Sequence, residues 1–533
     1  EFRVENGRMT NALKSASLQG RVRASDGQGA LRADAMNAYF VPDDERPARI
    51  HTLQAFDGVV AEDGRGGSLV SERMSIVFRP ATQAERDAGR PEDDPEVVTA
   101  SGRVFAQKDD ASIVCDTLET RLGRRDRDDL EITNVLATGS PVEFDRGRDD
   151  LSVRTLQLVA DTVRQRVRLQ GADSFVCRRG VEISGTQVAL DGLERSADVF
   201  GAGAFRRYAL TDGALGLDAS WTSQMRFDDR KGLIEAFGNV RADAAAGAQR
   251  TDRLRAERLR IELSPSEPTL ANADAPAPDA SGLLGSGGFG DNAEPDLGDR
   301  AVRRAEAWGA VDDYPGGKPA TFEARRYADP TVGPEPVPAE PRLERLMFIE
   351  GNHIIADNAE GALDVPIAGQ MLLFDRAALD RDVREGSDND RRGRAHFTWD
   401  GSMRIEQRQG VATLRENVEL RHRRETDTRT TVLQSESLVA EFDAEDDATP
   451  EGASLRSVEA IGRAYAQSGD RELTAETLRY DAMQAVIDAS APAGDVTILD
   501  GANGRTIRAA RLLWDLARDR VEIRQPTGVR TPR

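Results

Sequence analysis

The chain has 533 residues, of which 39% are hydrophobic, 31% are charged and only 5% are aromatic. Its formal net charge of −21 disfavours a general nucleic-acid binder, because such proteins need a basic surface to meet phosphates. No run of 18 apolar residues occurs, which excludes a membrane-spanning helix within this sequence.

Cysteine and histidine are scarce along the whole chain. Cys115 and Cys177 are the only thiols, which excludes a disulfide-dense scaffold or a zinc site built from several cysteines. Whether they form one bridge stays open, and so does an N-terminal signal or membrane anchor outside the numbered residues. The four histidines are scattered, without a spacing that would hold a metal.

In chain order, the first signal is a recurring six-residue pattern. It consists of an aliphatic residue, any residue, a small residue, an acid, any residue and another aliphatic residue. The copies begin at Leu31, Leu69, Ile113, Leu158, Leu254, Leu433 and Leu473, and Ile507 begins a copy without the acid. Most neighbouring copies are about 34 to 45 residues apart, which is typical of one supersecondary unit of a repeat protein.

A second element, a glycine followed by a polar residue and alternating apolar positions, precedes several copies. The glycine and the acid are 14 residues apart in four places: Gly20 and Asp34, Gly102 and Asp116, Gly309 and Glu323, Gly462 and Glu476. Polar turns lie between the two elements, so each pair predicts a β-hairpin. Since one hairpin cannot bury its apolar face alone, successive hairpins are expected to stack.

The apolar positions change parity inside the pattern. Leu473 and Ala475 share one face of a strand, whereas Leu478 and Tyr480 fall on the other face. If all four point inward, a bulge or bend must lie near Glu476-Thr477. The acid is then predicted to occupy a solvated outward corner, and no catalytic role is assigned to it.

These residues resemble the OstA-like family, the lipopolysaccharide-transport proteins LptA, LptC and the N-terminal part of LptD. The segment from Gly462-Arg463-Ala464 to Tyr480-Asp481 is similar to the family's paired strands, and Gly238-Asn239-Val240 through Ile261 is a second match. The resemblance implies an elongated β-jellyroll of two facing sheets, a periplasmic location, lipopolysaccharide acyl chains in the interior and end-to-end docking of jellyroll proteins through edge strands.

Composition divides the chain into four segments. Residues 1–263 and 343–533 are predicted to be jellyroll repeats, and residues 301–342 a degenerate repeat with a proline-rich spacer. Residues 264–300 are rich in proline, alanine, aspartate and glycine and lack apolar periodicity, so a flexible linker or long loop is predicted there.

The repeat and the resemblance together predict a non-enzymatic protein that shelters acyl chains on the way to the outer membrane, with no cofactor, metal or nucleic acid. The predicted inward-facing, lipid-binding residues are Leu31, Met36, Ile113, Leu118, Leu254, Leu259, Leu473, Leu478 and Tyr480. Two alternatives stay open: a structural scaffold of the cell envelope with a closed core, and a β-solenoid enzyme that acts on polysaccharides.

Overall fold

The computed structural model describes most of the chain. The described residues are 3–5, 8–10, 14–25, 29–41, 49–81, 94–124, 130–178, 180–208, 215–245, 250–264, 302–309, 318–327, 343–376, 393–406, 408–424, 429–443, 454–502 and 504–530. They form β-strands joined by turns, with a single 3-10 turn at Gly147–Asp149. The predicted all-β class is confirmed, and no helix in these residues is long and apolar enough to cross a membrane.

The strands are β1 Arg3–Glu5, β2 Arg8–Thr10, β3 Ser15–Ser25, β4 Gly29–Val41, β5 Arg49–Asp63, β6 Ser68–Arg79, β7 Asp94–Lys108, β8 Ala111–Arg124, β9 Leu130–Arg146, β10 Leu151–Asp161, β11 Arg166–Arg178, β12 Val181–Asp191, β13 Ser196–Tyr208, β14 Leu215–Trp221, β15 Gln224–Asp228, β16 Leu233–Ala245, β17 Arg250–Leu263, β18 Val302–Trp308, β19 Ala320–Tyr327, β20 Leu343–Gly351, β21 His353–Asp357, β22 Ala362–Val365, β23 Gly369–Asp375, β24 Gly393–Trp399, β25 Ser402–Glu406, β26 Val411–Arg424, β27 Thr431–Asp443, β28 Ser454–Ser468, β29 Arg471–Asp481, β30 Val486–Ser490, β31 Val496–Asp500, β32 Arg505–Asp515 and β33 Arg520–Arg530.

The chain divides into two compact units. Unit 1 contains β1 to β13 and β15, and unit 2 contains β14 and β16 to β33. The division falls within the predicted segment 1–263. Of the predicted linker at 264–300, residues 265–300 lie outside the described residues.

Unit 1 is an antiparallel meander in which each strand from β3 to β13 pairs with the next along the chain. Every one of these ladders contains a register shift near its middle, so each strand has two halves. The halves that include Leu18, Met36 and Ala55 pair with one another and form sheet 1a. Those that include Ala24, Leu31 and Ala61 form sheet 1b.

The two sheets of unit 1 enclose one core. Leu31 and Ala33 of sheet 1b belong to the same buried cluster as Met36, Ala55 and Met74 of sheet 1a. Residues from both halves of a strand therefore meet inside, as expected of two facing layers. This arrangement is consistent with the predicted jellyroll-like repeat fold.

Glycine-containing bulges produce the register shifts. Gly20-Arg21, Gly102-Arg103 and Gly462-Arg463 each place two residues opposite one acid, and all six have positive φ angles between 42° and 91°. Glycine has no Cβ and adopts this left-handed conformation at little cost, which explains its place in the pattern. The predicted bulge near Glu476-Thr477 is confirmed, with the extra residue on the glycine strand, opposite the acid.

In unit 2 the two sheets separate into different strands. Between β17 and β26, sheet 2a contains β18, β21, β22 and β25, and sheet 2b contains β19, β20, β23 and β24. Both sheets continue through the two halves of β26, β27, β28 and β29. Sheet 2a then includes β30, and sheet 2b includes β31. One half of β32 belongs to each sheet.

The hairpin predicted from Gly309 and Glu323 is wrong. Gly309 follows β18 and Glu323 lies on β19, and these strands pair with opposite halves of β17. Both strands run antiparallel to β17, so the chain keeps its direction from β18 to β19. The two strands lie in different sheets, so they do not form a hairpin ladder with each other.

Candidate functional site

A continuous row of apolar side chains crosses the inner face of sheet 1a. Its members are direct cross-strand neighbours from β3 to β15, and side chains at such positions lie about 5 Å apart. This row, row 1, consists of Leu18, Met36, Ala55, Met74, Ala100, Leu118, Ala137, Leu158, Leu169, Val188, Val199 and Met225.

A second row crosses the inner face of sheet 1b. Row 2 consists of Ala24, Leu31, Ala61, Leu69, Ala106, Ile113, Phe144, Val153, Val176, Ile183 and Phe205. The two rows line the interior of unit 1 with hydrocarbon. They arise because the bulge reverses the parity of each strand, so both halves of a strand turn an apolar face inward.

The interior of unit 1 is not uniformly closed. Row 3, two residues further along sheet 1a, consists of Ala16, Ala38, Leu53, Ile76, Val98, Thr120, Val135 and Ala160. Its members are half-buried as far as Thr120, whereas Val135 and Ala160 are only 3% and 1% exposed. Leu18 in row 1 is 55% exposed and Leu69 in row 2 is half-buried.

We call Leu18, Leu53, Leu69, Ile76 and Val98 the open segment of unit 1. The five residues lie on β3, β5, β6 and β7. Polar side chains beside them are bonded to the protein itself: Ser71 Oγ donates to the carbonyl oxygen of Arg73 over 3.1 Å. The open segment therefore presents partly exposed hydrocarbon at the inner face of unit 1.

The predicted lipid-binding residues of unit 1 lie on these inner rows. Leu31 is 7% exposed, Met36 2%, Ile113 1% and Leu118 4%. Leu31 and Met36 contact the half-buried side chains at the open end, whereas Ile113 and Leu118 lie on β8, where the interior closes. Their burial agrees with the inward direction, and their contact with lipid stays a prediction.

The predicted residues of unit 2 lie in a more tightly filled interior. Leu254 is half-buried and Leu259 is 5% exposed, and Leu473, Leu478 and Tyr480 are each at most 1% exposed. Leu254 and Leu473 belong to one row of sheet 2b. This row consists of Leu254, Phe322, Ile349, Met371, Phe397, Leu420, Leu433, Ala466, Leu473 and Ile498. From Ile349 to Ile498 no member is more than 2% exposed.

Polar contacts also close the interior of unit 2. His422 on sheet 2b and Tyr480 on sheet 2a are both buried, and His422 Nδ1 lies 3.0 Å from the Tyr480 hydroxyl. Trp399, 2% exposed, donates its indole N–H to the carbonyl oxygen of Ile367 over 3.0 Å. Buried side chains and contacts of this kind are typical of a filled core, although the buried Trp514 indole N–H has no hydrogen-bond partner among the described residues.

The corner acids are solvated, as their position in the pattern predicts. Glu72 is exposed and forms an ion pair with Arg103 of the next bulge at 3.4 Å, and Glu436 pairs with Arg463 at 2.7 Å. Exposed ion pairs of this kind contribute little to stability. Both acids are paired with arginines of the protein itself.

The two cysteines are both free and lie on separate strands, Cys115 on β8 and Cys177 on β11. Cys115 is buried, and burial, with a smaller effect of Asp116, raises its pKa to about 11. Burial also raises the pKa of Cys177, with further contributions from Glu182 and Asp150. Neither thiol has the lowered pKa of a nucleophile.

The described residues contain no group of three or more side chains that could hold a metal ion. His353 stacks on Trp308, with ring centroids 4.9 Å apart, and lies 3.2 Å from Glu306. Arg258 lies over the same Trp308 ring at 4.9 Å. These contacts join neighbouring strands through their side chains.

Sequence reasoning missed most of the open segment. Leu18, Leu53 and Val98 lie on strands between copies of the six-residue pattern, and the glycine element on β3 and β7 marks the bulges and not the inward positions of those strands. The signal that could have found them is the period-two alternation, since Val98 and Ala100 share the inner face of β7. Their accessibility, by contrast, has no signal in the sequence.

No protein-family model matches the chain, and no curated protein matches it. A neighbour among solved structures is LptH from Pseudomonas aeruginosa, described as the LptA-homologous periplasmic component of the conserved lipopolysaccharide transport device. It is 19% identical, the match covers 27% of this chain and 93% of LptH, and the TM-score is 0.21.

Proposed function

We propose that the chain is a periplasmic lipid-binding bridge or carrier that shelters the acyl chains of lipopolysaccharide in unit 1 during transport to the outer membrane. The observation that supports this function best is the open segment, an apolar interior accessible over β3 to β7. The sequence resemblance to the OstA-like family supplies the lipid class and the compartment. No catalytic step is part of the proposal.

The driving force is the hydrophobic effect. Each methylene that leaves water for an apolar site gains about 0.8 kcal/mol, so a few buried methylenes outweigh the loss of chain freedom. Sugars and phosphates would stay outside, because the inner rows carry only apolar side chains apart from Thr120, whose hydroxyl donates to the carbonyl oxygen of Val98. Because this binding is passive, directional movement of the lipid would need an energy source in a partner protein.

Partner proteins of the same fold could dock at the first long strand. Among the described residues, β3 pairs only with β4, so its other edge presents unpaired backbone groups. Such an edge accepts a further strand from another chain through main-chain hydrogen bonds. We include edge-to-edge docking with other jellyroll proteins in the proposal.

Site-specific photo-crosslinking to lipopolysaccharide tests the function. Ile76 and Val70 lie on the same strand, but Ile76 is an inward member of row 3 whereas Val70 is 41% exposed on the outer face. A photoreactive residue at Ile76 or Leu53 is expected to form a lipid adduct, and one at Val70 is the matched control. Equal adducts at both faces, or none at the inward positions, would contradict the proposal.

A second candidate is a structural scaffold of the cell envelope. The filled interior of unit 2 favours it, since side chains such as Leu438, Ala460 and Leu478 are not measurably exposed. If crosslinking to lipid fails throughout unit 1 while the protein is folded, the scaffold function is the better explanation of the repeat.

A further inference from the structure

Arginine side chains gather at one rim of sheet 2b, where β19 and β23 end and β20 and β24 begin. We call six of them the arginine rim: Arg325, Arg326, Arg345, Arg376, Arg394 and Arg423. Such a cluster of positively charged side chains is unexpected in a chain whose formal net charge is −21. Charges further than about 8 Å away are largely screened at physiological salt, so the local sign decides what this rim attracts.

The register places like charges directly opposite each other. Arg326 lies opposite Arg345 across β19 and β20, and Arg394 lies opposite Arg423 across β24 and β26. Like charges at such positions destabilise a sheet. The two pairs lie at the same end of sheet 2b but on opposite faces, since Arg345 has the parity of the buried Met347 whereas Arg394 is adjacent in sequence to the buried Ala395. The Arg394–Arg423 pair therefore costs stability on the outer face, and an anion bound there would remove the repulsion.

Internal carboxylates neutralise only part of the rim. Arg345 pairs with Asp375 at 3.4 Å, and Arg325 pairs with Glu323. Arg326, Arg394 and Arg423 are exposed and form no ion pair with any residue that the structure describes. Guanidinium groups match phosphate oxygens in pairs of parallel hydrogen bonds.

Apolar side chains accompany Arg325, Arg376, Arg394 and Arg423 on the outer face, whereas Arg326 and Arg345 lie on the inner-face side of the same rim. Met347 of β20 is a buried inner residue, so its neighbours Leu346 and Phe348 point outward, and Phe374 and Leu372 lie directly opposite them on β23. All four are half-buried. The guanidinium groups of Arg376 and Arg394 lie 5.3 and 5.5 Å from the centroid of the Phe374 ring.

We propose that the outer-face arginines of the rim, Arg325, Arg376, Arg394 and Arg423, and these four apolar residues form a docking surface for an anionic phospholipid membrane. Lipid phosphates would bind the guanidinium groups, and the apolar residues would meet the upper part of the acyl region. A nucleic acid would use the arginines but would leave the apolar face unmatched, so a membrane fits the surface better. The inference does not depend on acyl-chain binding in unit 1.

Vesicle flotation tests the docking surface with the full chain. The wild-type protein is expected to float with vesicles of phosphatidylcholine and phosphatidylglycerol, not with phosphatidylcholine alone, and to dissociate as salt is raised. Arg394→Gln with Arg423→Gln should weaken binding about 30-fold, since each arginine near an anionic surface contributes about 1 kcal/mol. The matched control is Arg168→Gln with Arg207→Gln, two exposed arginines of unit 1.

A second measurement separates binding from folding. Because the substitutions remove an unfavourable arginine pair, the double variant should unfold at the same or higher urea concentration than the wild type. Unchanged vesicle binding in the double variant would overturn the proposal, as would equal flotation with both vesicle types. Tighter binding to a duplex oligonucleotide through the same arginines would also overturn it, and none of these results would affect crosslinking at Ile76.

Discussion

His422 and Tyr480 join the two sheets of unit 2 across its interior. The two residues are 58 positions apart, yet His422 Nδ1 lies 3.0 Å from the Tyr480 hydroxyl and the ring centroids are 5.8 Å apart. Tyr480 is 1% exposed and His422 is 7% exposed. Since buried polar groups are costly without partners, this contact specifies how the sheets of unit 2 meet.

Removing the Tyr480 hydroxyl should destabilise unit 2. Tyr480→Phe keeps the ring but leaves a polar atom of His422 with one partner fewer, which is expected to lower the free energy of unfolding by about 1–3 kcal/mol. Urea titration with a probe in unit 2 measures the change. Tyr39→Phe, at a 41% exposed position, is the control and should change little; equal effects of both would contradict this explanation.

The bulge glycines should tolerate no side chain. Gly102 has φ +81°, and a Cβ there would lie 2.5 Å from Glu72 Oε2. Gly102→Ala is expected to cost about 1–3 kcal/mol of stability from the strained conformation alone. Glu72→Ala in the same chain should recover only a small part of the loss, because the Cβ of residue 72 stays 2.7 Å from the added Cβ and φ stays positive.

Thermal or urea unfolding compares Gly102→Ala with the same substitution at a glycine whose surroundings leave space for a Cβ atom. Gly147→Ala is the matched control, since its added Cβ would be 4.0 Å from the nearest non-neighbouring atom, the carbonyl oxygen of Asp110. A loss of stability at Gly147 as large as that at Gly102 would argue against the bulge as its cause.

Large-to-small substitutions should distinguish the filled interior from the open segment. Leu478→Ala is expected to destabilise by about 2–5 kcal/mol, because Leu478 is fully buried and its loss leaves a cavity. Leu18→Ala, at a side chain that is 55% exposed, should cost far less. Comparable losses at both positions would mean that the two interiors are equally packed.

Cys115 should resist alkylation in the folded protein. With a pKa of about 11, only about one thiol in a thousand is ionised at pH 8, and the thiolate is the reactive form. Cys177 is half-buried and should react faster, although its pKa is also raised. Mass spectrometry after timed treatment with iodoacetamide measures both sites, and denaturation should equalise them; faster labelling of Cys115 in the native protein would be inconsistent with its burial.

Raising the pH should weaken the fold through the same thiol. Cys115 keeps its proton in the folded state up to about pH 11, whereas an unfolded cysteine loses it near its ordinary value of 9.0. Between these values the folded state binds more protons, so its stability falls as pH rises. Cys115→Ala should remove this part of the pH dependence, and an unchanged profile would contradict the assignment.

The pattern of the sequence determined the strands and their bends. The 14-residue interval between Gly462 and Glu476 places a positive-φ pair opposite a solvated acid, and the parity change around it turns Leu473 and Tyr480 to the same interior. These are local effects, because alternation and glycine conformation act within one hairpin. For the same reason the interval between Gly309 and Glu323 was misleading, since the partner of each strand is chosen by distant residues.

Only the tertiary structure decided how closely the sheets meet. Ile76 and Leu478 are equivalent as apolar inward residues in the sequence, yet one is half-buried in unit 1 and the other is fully buried in unit 2. Burial depends on what the opposite sheet supplies, as His422 does for Tyr480, and that contact joins residues far apart along the chain. The opposition of Arg394 and Arg423 likewise follows from register between strands, because pairing, not sequence spacing, sets which charges face each other.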